Sequence, residues 1–412
     1  MFRYYKGKNE GYKMRLYIIT REPFPDGLAA TNRIKCYAKA FLSKGVECKV
    51  IVYGRNNFSE NILPEGIAEG ITYEYIGGSV HRMKGRLRAN IQSLFLYIKL
   101  LVFLYSSLNI GDVVLGYNQM VGQLTWLLIK VVHSRKAWYI SELCELPYGT
   151  GCENKMTIMQ RNYAYKKLFP RYDGIIAISE ALVKEARHYC SLSTVILKIP
   201  ILVDFENYNI PDKSLSADYP YIFHAGTLYE QKDGILGMIE AFGIALKKSN
   251  LPIHFVLTGF PDKSPHKKEI KAIISKYNIG EYIHFLGYVS SEELREYLAK
   301  ASLVIINKYP TQQNKYCFST KLGEYMAAGK PLIITRVGEA MNWLTDGYDS
   351  MMVDPNDVGQ LSDTIFKAFS DVTTLRIIGE NARKSCHSFF DYRNYSASLL
   401  EMLNMFSTKQ IS

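Results

Sequence analysis

Cysteine and histidine are scarce and scattered in this sequence of 412 residues. Its seven cysteines form no C-x-x-C pair, and none stands near a histidine at the spacing of a zinc finger. The eight histidines are equally dispersed. Metal ligands usually come in recognisable clusters or spaced motifs. The sequence therefore predicts reduced thiols and no protein-bound metal.

Two glycine-rich phosphate motifs are also missing. The chain has no G-x-x-x-x-G-K-[ST] segment, and no G-x-G-x-x-G follows an apolar strand pattern. These motifs hold nucleotide phosphates in P-loop proteins and in standard dinucleotide-binding domains. The sequence therefore lacks the main feature that would indicate a P-loop protein or a standard dinucleotide-binding domain.

Long hydrophobic runs are absent as well. The most apolar stretch, residues 94–105 (LFLYIKLLVFLY), contains Lys99 and is shorter than the roughly 20 residues that a membrane-spanning helix needs. We expect it to be a buried helix of the fold. Docking on anionic lipid is the alternative, because the basic run from His81 to Arg88 precedes it. Residues 1–13 are basic and lack an apolar core, so we predict no secretory signal and a cytoplasmic location.

Positive charge is concentrated in the first half of the chain. The net charge is +11, from 50 basic and 39 acidic residues. Residues 1–205 hold 28 basic and 16 acidic residues, a net of +12, whereas residues 206–412 hold 22 and 23, a net of −1. This asymmetry predicts an anionic partner such as a membrane surface or a lipid phosphate. Nucleic acid would also fit by charge, but we expect no nucleic-acid partner because no module that binds it is recognisable.

Short apolar runs alternate with helical patterns from residue 14 and again from residue 219. Such alternation indicates βαβ units and parallel sheets. We therefore predict an α/β fold of two facing Rossmann-like, doubly wound parallel-sheet domains, with the ligand between the carboxyl ends of their strands. The predicted segments are an N-terminal extension (1–13), a first domain (14–205), a linker (206–218), a second domain (219–387) and a C-terminal helix (388–412) that packs back on the first domain.

One pattern suited to anion binding lies in residues 224–234 (HAGTLYEQKDG). A strand pattern leads directly into Gly226, where the missing side chain lets a ligand approach the backbone, and a helix pattern follows Lys232. A helix N-terminus together with a lysine suits a diphosphate. An ordinary strand–helix loop with a solvated lysine would show the same residues, so this segment alone leaves both interpretations open.

A second pattern is the predicted helix within residues 318–331 (FSTKLGEYMAAGKP). Glu324 lies among apolar neighbours on this helix, where a carboxylate is costly unless a fixed partner satisfies it. The two hydroxyl groups of a ribose would be such a partner. A salt bridge to Lys321 or Lys330 is the alternative.

The two patterns together resemble glycosyltransferase family 4. The resemblance covers about residues 14–400, is most specific in STKLGEYMAAGKPLI and is supported by GTLYEQKDG. Members of this family have the GT-B fold and transfer a sugar from a nucleotide-sugar with retention of anomeric configuration. The resemblance implies a hexosyltransferase-type enzyme whose first domain binds the acceptor and whose second domain binds the nucleotide-diphosphate sugar.

The resemblance also implies roles for single residues at matching positions. Glu324 matches the glutamate that binds the nucleotide ribose, and Lys232 matches the lysine that contacts the donor diphosphate. Further implied donor contacts lie in the loop that closes on the phosphate, in the phosphate loop, at the base and around the start of the helix that carries Glu324: Gly27, Gly226, Thr227, Tyr288, Val289, Tyr316, Phe318, Ser319, Thr320 and Lys321. Gly338 and Glu339 match a later turn motif.

Two positions depart from the family pattern. Thr227 stands where an arginine is usual, and Tyr316 replaces the first glutamate of a spaced pair, eight residues before Glu324. The diphosphate thereby loses a cation and the donor sugar a carboxylate. We predict that Lys321, one turn earlier than Glu324 on the same helix, is the replacement cation.

On the acceptor side, two carboxylates follow a predicted strand in residues 138–147 (WYISELCELP). Of Glu142 and Glu145, we choose Glu145 as the group that orients or deprotonates the acceptor hydroxyl; a solvated loop carboxylate is the alternative. Family members often react at the front face of the donor without an enzymatic nucleophile. The predicted catalytic residues are therefore Glu145, Lys232 and Glu324, with Tyr117 and Asn118 as further residues at the cleft edge.

These inferences predict a cytoplasmic enzyme on the inner face of the membrane that takes part in surface polysaccharide biosynthesis. Its partners would be a nucleotide-sugar donor, a glycan or lipid-linked acceptor and an anionic membrane surface, with no cofactor and no metal. Two alternatives stay open. A GT-B nucleotide-sugar epimerase would need acid and base groups around the sugar, and a catalytically silent sugar- or lipid-binding relative would explain Thr227 and Tyr316.

Overall fold

The computed structural model describes residues 14–56, 61–117, 122–147, 154–209, 219–248 and 252–409. The first of its two sheets consists of β1 (Arg15–Thr20), β2 (Glu47–Val52), β3 (Glu65–Ala68), β4 (Ile71–Tyr75), β5 (Val113–Tyr117), β6 (Trp138–Leu143), β7 (Gly174–Ala177) and β8 (Val195–Lys198). Their order is β3-β4-β2-β1-β5-β6-β7-β8, and each pair is parallel except β3 with β4.

The second sheet is parallel throughout. It consists of β9 (Tyr221–His224), β10 (His254–Leu257), β11 (Ile283–Phe285), β12 (Leu303–Ile306), β13 (Leu332–Thr335) and β14 (Met351–Val353). Their order is β11-β10-β9-β12-β13-β14. The predicted α/β fold with two parallel-sheet domains is confirmed.

Helices connect the strands and cover both sheets. In the first half they are α1 (Ala29–Leu42), α2 (Arg86–Ser107), α3 (Gly122–Ser134), α4 (Lys155–Tyr163) and α5 (Glu180–Tyr189). In the second half they are α6 (Glu230–Asp233), α7 (Ile235–Lys248), α8 (Lys267–Tyr277), α9 (Ser291–Lys300), α10 (Gln312–Tyr316), α11 (Thr320–Ala327), α12 (Val358–Ser370), α13 (Val372–Phe389) and α14 (Ser396–Lys409). The helix predicted after Lys232 is α7, and one further turn, α6, which contains Lys232, precedes it; Gly234 adopts a left-handed conformation between the two.

The carboxyl edges of the two sheets face each other. Asn32, in the helix that follows β1, donates from Nδ2 to Oε1 of Glu324 (3.4 Å). Ser179, which follows β7, donates from Oγ to the carbonyl of Tyr316 (2.6 Å). In each sheet the chain crosses from one side to the other beside a central strand, β1 or β9. Such switch points leave a crevice at the carboxyl ends of the strands.

The last helix of the chain returns to the first domain. Leu399, Met402, Leu403 and Phe406 of α14 are buried in the same apolar cluster as β1, β2 and α1. The ring of Phe406 stacks on Trp138 with centroids 5.3 Å apart. Helix α14, which follows the second domain in the chain, therefore packs against the first domain. The predicted linker 206–218 lies outside the described residues from position 210, as do the predicted extension 1–13 and Asn118.

A buried ion pair fixes α1 to the first sheet. Arg33 donates from Nε to Oε1 of Glu142 (2.8 Å) and from its terminal nitrogens to the carbonyls of Ile199 and Pro200. Both charged side chains are at most 2% exposed. The expectation that Glu142 follows a strand at the cleft edge is wrong: it lies within β6 and is a core group. Tyr117, predicted at the cleft edge, is likewise buried, at the end of β5.

The apolar segment 94–105 is not the buried helix that the sequence suggested. It forms most of α2, which buries Ala89, Leu96, Tyr97, Leu100 and Leu104 but leaves many other large apolar side chains exposed. Among the described residues, α2 is the one helix whose length and composition would suffice to cross a membrane. As the connection between β4 and β5, α2 needs only one apolar face to pack against the sheet. Its sequence has a second set of apolar residues, and these are exposed.

Candidate active site

Gly226 lies at the centre of a crowded loop at the end of β9. Its amide donates to Oγ1 of Thr258 (2.8 Å), and its carbonyl accepts from the same hydroxyl (3.1 Å). A Cβ at this position would lie 2.5 Å from Nζ of Lys321 and 2.8 Å from Oδ2 of Asp233. A side chain at position 226 would therefore displace the charged groups around it, a cluster that the sequence pattern did not reveal.

Lys321 reaches the phosphate loop, as predicted for the replacement cation, and there it forms an ion pair. Its Nζ lies 2.5 Å from Oδ1 of Asp233, and Asp233 is 3% exposed. Burial opposes ionisation of Asp233, but the positive charge of Lys321 outweighs it and lowers the pKa of this carboxyl to about 2. Thr227 stands where the resembled family usually has an arginine. It is exposed, and its hydroxyl lies 3.4 Å from Oδ2 of Asp233.

His224 lies beneath this pair with its ring fully buried. Its Nδ1 donates to the carbonyl of Ile305 (2.9 Å), which leaves Nε2 as the unprotonated nitrogen. Burial, reinforced by the charge of Lys321, lowers the pKa of His224 to about 4, so the ring is neutral at physiological pH. Among the described residues Nε2 has no hydrogen-bond partner.

Lys308 is a third lysine that lies beside this loop, and it was not among the residues predicted from the sequence. Its Nζ donates to the carbonyl of Lys232 (3.1 Å) and lies 3.4 Å from Oδ1 of Asn314. Burial, with the nearby charge of Lys321, lowers the pKa of Lys308 to about 8. Lys232 itself is exposed, so it extends outward while Lys308 holds its backbone. Lys308 follows β12 almost directly, at the carboxyl edge of the sheet, and that position was the available signal.

Helix α11 begins between two cavities. Phe318 and Ser319, just before it, line a small cavity together with Lys308. Thr320, its first residue, lines a larger cavity between the two domains, together with Asn32 and Glu324. The first amides of a helix have no partner within it and favour anionic ligands. The first amides of α11 and its Lys321 thus lie close to Lys308 and to the loop that carries Lys232.

Glu324 lines the larger cavity, one turn further along α11, and is half-buried. Burial raises the pKa of Glu324 to about 7, although the amide of Asn32 and the charges of Lys321 and Arg295 partly counter this effect. The salt bridges considered from the sequence are not its environment: Lys321 pairs with Asp233, and Lys330 donates to the carbonyl of Ala299. The carboxylate therefore faces the cavity, where the amide of Asn32 donates to it at 3.4 Å.

The residues predicted at the base and at the closing loop lie around this region. Tyr288 is exposed and Val289 half-buried, just after β11. The amide of Gly259, which follows β10, donates to the carbonyl of the neighbouring Gly287, which follows β11 (2.7 Å). Gly27 lies in the loop between β1 and α1, where a Cβ would overlap Oγ1 of Thr31 at 2.1 Å. The predicted backbone contacts thus come from loops at the carboxyl edges of both sheets.

Tyr316 and Glu145 lie at the junction between the domains. The hydroxyl of Tyr316 donates to Oε1 of Glu185 in α5 (2.9 Å), so this side chain is engaged with the first domain. Glu145 is exposed, and its negative charge acts across the cleft on Cys317, whose thiol pKa is raised by burial and further by this carboxylate to about 12. Glu339 is buried, and its carboxylate accepts from the backbone amide of Glu180 (2.9 Å).

The second half of the chain matches a known family. Residues 207–385 match the family model described as "Glycosyl transferases group 1". An uncharacterised glycosyltransferase of Methanocaldococcus jannaschii is 24% identical over 230 residues, which are 55% of this chain and 58% of the relative. An exopolysaccharide phosphotransferase of Streptomyces coelicolor is 30% identical over 129 residues, or 30% of this chain and 13% of that protein. The chain thus aligns with less than two thirds of each relative.

Solved structures share the fold over nearly the whole chain. HepE of Anabaena in complex with UDP has a TM-score of 0.69 at 17% identity, with 95% of this chain and 100% of that chain covered. Sucrose-phosphate synthase of Thermosynechococcus elongatus has a TM-score of 0.68 at 16% identity, with 97% and 99% covered. The chain has the GT-B fold, and the glycosyltransferase family model covers its residues 207–385. In this GT-B protein, the charge cluster and Glu324 lie within the part that matches the family model.

Proposed function

We propose that this GT-B protein is a retaining hexosyltransferase that transfers a sugar from a nucleotide-diphosphate sugar to a glycan or lipid-linked glycan. HepE, of similar fold, binds UDP and UDP-glucose, and we propose a uridine nucleotide as the donor for this chain too. The observation that carries the proposal is that three lysines surround the loop at Gly226 while the half-buried carboxylate of Glu324 lies one turn from Lys321 on α11.

The lysine-rich loop supplies charge for a diphosphate. Lys232 extends from the loop, Lys308 lies beside it, and Lys321 is held against Gly226 by Asp233. When the sugar departs, negative charge develops on the nucleotide diphosphate, and fixed cations and helix amides stabilise that charge without reorganisation. Asp233 holds the ammonium group of Lys321 in place beside Gly226.

Glu324 supplies the contact to the nucleoside. A ribose diol offers two hydroxyl donors, and hydrogen bonds to a charged carboxylate are about twice as strong as neutral ones. Burial raises the pKa of Glu324 to about 7 and so disfavours its ionised form. A diol would reverse this preference, so donor binding would lower the pKa of Glu324.

The acceptor would enter from the first domain. We propose that Glu145, exposed at the domain junction, orients the acceptor hydroxyl, and that the reaction proceeds at the front face of the donor without an enzymatic nucleophile. The net charge of +12 in residues 1–205 supports an anionic or lipid-linked acceptor, and hence a role in surface polysaccharide assembly at the inner face of the membrane. No metal is required in this scheme.

Calorimetric binding of UDP, GDP and ADP tests the donor site. We expect one nucleotide to bind the wild type and its affinity to fall about tenfold or more in Glu324→Ala, with the loss of a charged hydrogen bond worth about 1.5–3 kcal/mol. Glu296→Ala, which removes an exposed carboxylate of α9, is the control and should bind as the wild type does. A wild type that binds none of the three nucleotides would reject the proposal.

The stereochemistry of the product tests retention separately. Once a sugar nucleotide has been found that is consumed, the anomeric proton coupling of the product reports its configuration by NMR. An inverted product would leave the transferase assignment intact and reject the retaining mechanism.

A further inference from the structure

Helix α2 carries a second apolar stripe on the side that faces away from the sheet. Its buried side packs into the core through Leu96, Tyr97, Leu100 and Leu104. On the other side, large apolar residues that are 51–74% exposed recur at steps of three and four: Leu87, Ile91, Leu94, Phe95, Ile98, Val102 and Tyr105. Residues at these steps share one face of a helix. A folded soluble protein rarely exposes a continuous apolar strip of this length.

The chain around this stripe, which we call the α2 outer face, is almost devoid of negative charge. Between Glu74 and Glu142 the one acidic residue is Asp112, whose buried side chain pairs with Arg15 (2.6 Å). The same interval contains eight lysines and arginines: Arg82, Lys84, Arg86, Arg88, Lys99, Lys130, Arg135 and Lys136. Residues 81–88 are exposed throughout. The outer face thus combines exposed apolar side chains with a basic segment at its N-terminal end, whose lysine and arginines form no ion pair with the part of the chain that the structure describes.

The basic segment lies on the cleft side of the first domain. It follows β4, which runs parallel to β2, so the chain leaves the sheet at its carboxyl edge. His81 pairs with Asn56, which follows β2 at the same edge. Helix α2 then crosses back to begin β5. The N-terminal end of the outer face is therefore near the opening of the interdomain cleft.

We propose that the α2 outer face docks on an anionic lipid bilayer, with the helix lying in the plane of the surface. A membrane-spanning orientation is incompatible with the inner side of α2, which is packed in the protein core. A second copy of the chain is a poorer occupant, because the interval from Glu74 to Glu142, apart from the buried Asp112, would offer no acidic side chain to the basic segment across a symmetric contact. An anionic bilayer offers both a negative surface for the basic segment and an apolar layer for the stripe.

This docking would place the mouth of the cleft against the bilayer. A lipid-linked glycan could then enter the acceptor side without leaving the membrane. The inference rests on the proposed function only in this last point, since docking itself requires neither donor nor acceptor.

Sedimentation of the full chain with vesicles tests the proposal. We expect binding to vesicles of phosphatidylcholine with phosphatidylglycerol to exceed binding to phosphatidylcholine alone by about tenfold or more. The double variant Leu94→Gln with Ile98→Gln and the double variant Arg82→Glu with Lys84→Glu should each lower it by about tenfold or more. High salt should weaken binding of the wild type in the same direction as the charge variant.

Matched variants control for the number and type of changes. Val372→Gln with Ile377→Gln alters two exposed apolar residues of α13, and Lys268→Glu with Lys367→Glu alters two exposed lysines of the second domain. Both should bind vesicles as the wild type does. Calorimetric binding of UDP should be the same for all variants, which reports an intact fold and cleft.

The docking proposal is rejected if the wild type ignores anionic vesicles or if the Leu94 and Ile98 variant binds them equally well. It is also rejected if the wild type is a dimer that this variant dissociates. Docking without nucleotide binding would overturn the proposed function alone, and nucleotide binding without docking would overturn this inference alone.

Discussion

At the scale of single residues, Glu324 shows how the site opposes the stability of the fold. Burial raises the pKa of this carboxyl from 4.5 to about 7. Its ionised form therefore destabilises the folded chain, by an amount that grows as pH rises from about 4.5 to about 7 and is fully present above that range. The same feature makes Glu324 ready to accept hydrogen bonds from a ligand.

We therefore expect Glu324→Gln to stabilise the free protein and weaken donor binding. At pH 8 the variant should gain about 1–3 kcal/mol in free energy of unfolding, and its affinity for the donor nucleotide should fall about tenfold. Denaturant unfolding at pH 5 and pH 8, with calorimetry at pH 8, checks both effects. A gain in stability that is equal at both pH values would contradict the assigned pKa.

The lowered pKa of Lys308 predicts how donor binding depends on pH above neutrality. Burial beside Lys321 lowers the pKa of Lys308 to about 8, and a bound diphosphate would favour the charged ammonium and raise it. Nucleotide affinity should therefore fall as pH rises through about 8, where Lys308 of the free protein loses its proton. Lys308→Met should lose this decline and bind about tenfold more weakly at pH 7, whereas Lys367→Met, on the exposed face of α12, should match the wild type in calorimetric titrations.

At the scale of elements, the position of α11 depends on close packing at Gly323. An ideal Cβ there would lie 2.4 Å from Cγ2 of Val203 and 3.3 Å from Cδ1 of Ile201. The helix that carries Lys321 and Glu324 is thus pressed against the segment that follows β8. A methyl group at this point would move both functional side chains.

Gly323→Ala should therefore reduce stability by about 1–3 kcal/mol and weaken nucleotide binding about tenfold. Adding Val203→Ala removes the overlapping methyl group and should restore binding, because the alanine then has room. Thermal unfolding and calorimetry of the single and double variants measure the two effects. Unchanged binding in Gly323→Ala would show that α11 is not held by this contact.

At the scale of the whole molecule, a carboxylate of the second domain holds the start of a helix in the first. Glu339 accepts from the Glu180 amide at 2.9 Å, from Lys198 at 3.3 Å and from the indole of Trp343 at 3.1 Å. This junction and the return of α14 to the first domain link the two halves independently of the linker. If the two domains move together over a donor, the hydrogen bond between Glu339 and the Glu180 amide is either preserved or broken by that movement.

We expect Glu339→Ala to loosen α5 without affecting the donor site. Loss of the carboxylate leaves a helix-terminal amide and Lys198 without this partner, at a cost of about 1–3 kcal/mol. Hydrogen exchange at the start of α5 should accelerate about tenfold or more, while nucleotide affinity stays the same. Glu380→Ala, an exposed carboxylate of α13, should leave the exchange of α5 unchanged; equal exchange in the two variants would contradict the role of Glu339.

The sequence alone determined the two-domain α/β fold, because the alternation of strand and helix patterns is local information that neighbouring residues carry. The same is true of the glycine turn at Gly226 and of Glu324 on an apolar helix. Only the tertiary structure decided which groups meet: Asp233 with Lys321, Lys308 with the backbone of Lys232, and Glu142 with Arg33. It also decided that the apolar helix α2 has an exposed side, since periodicity gives the faces of a helix but not how many of them the fold will cover.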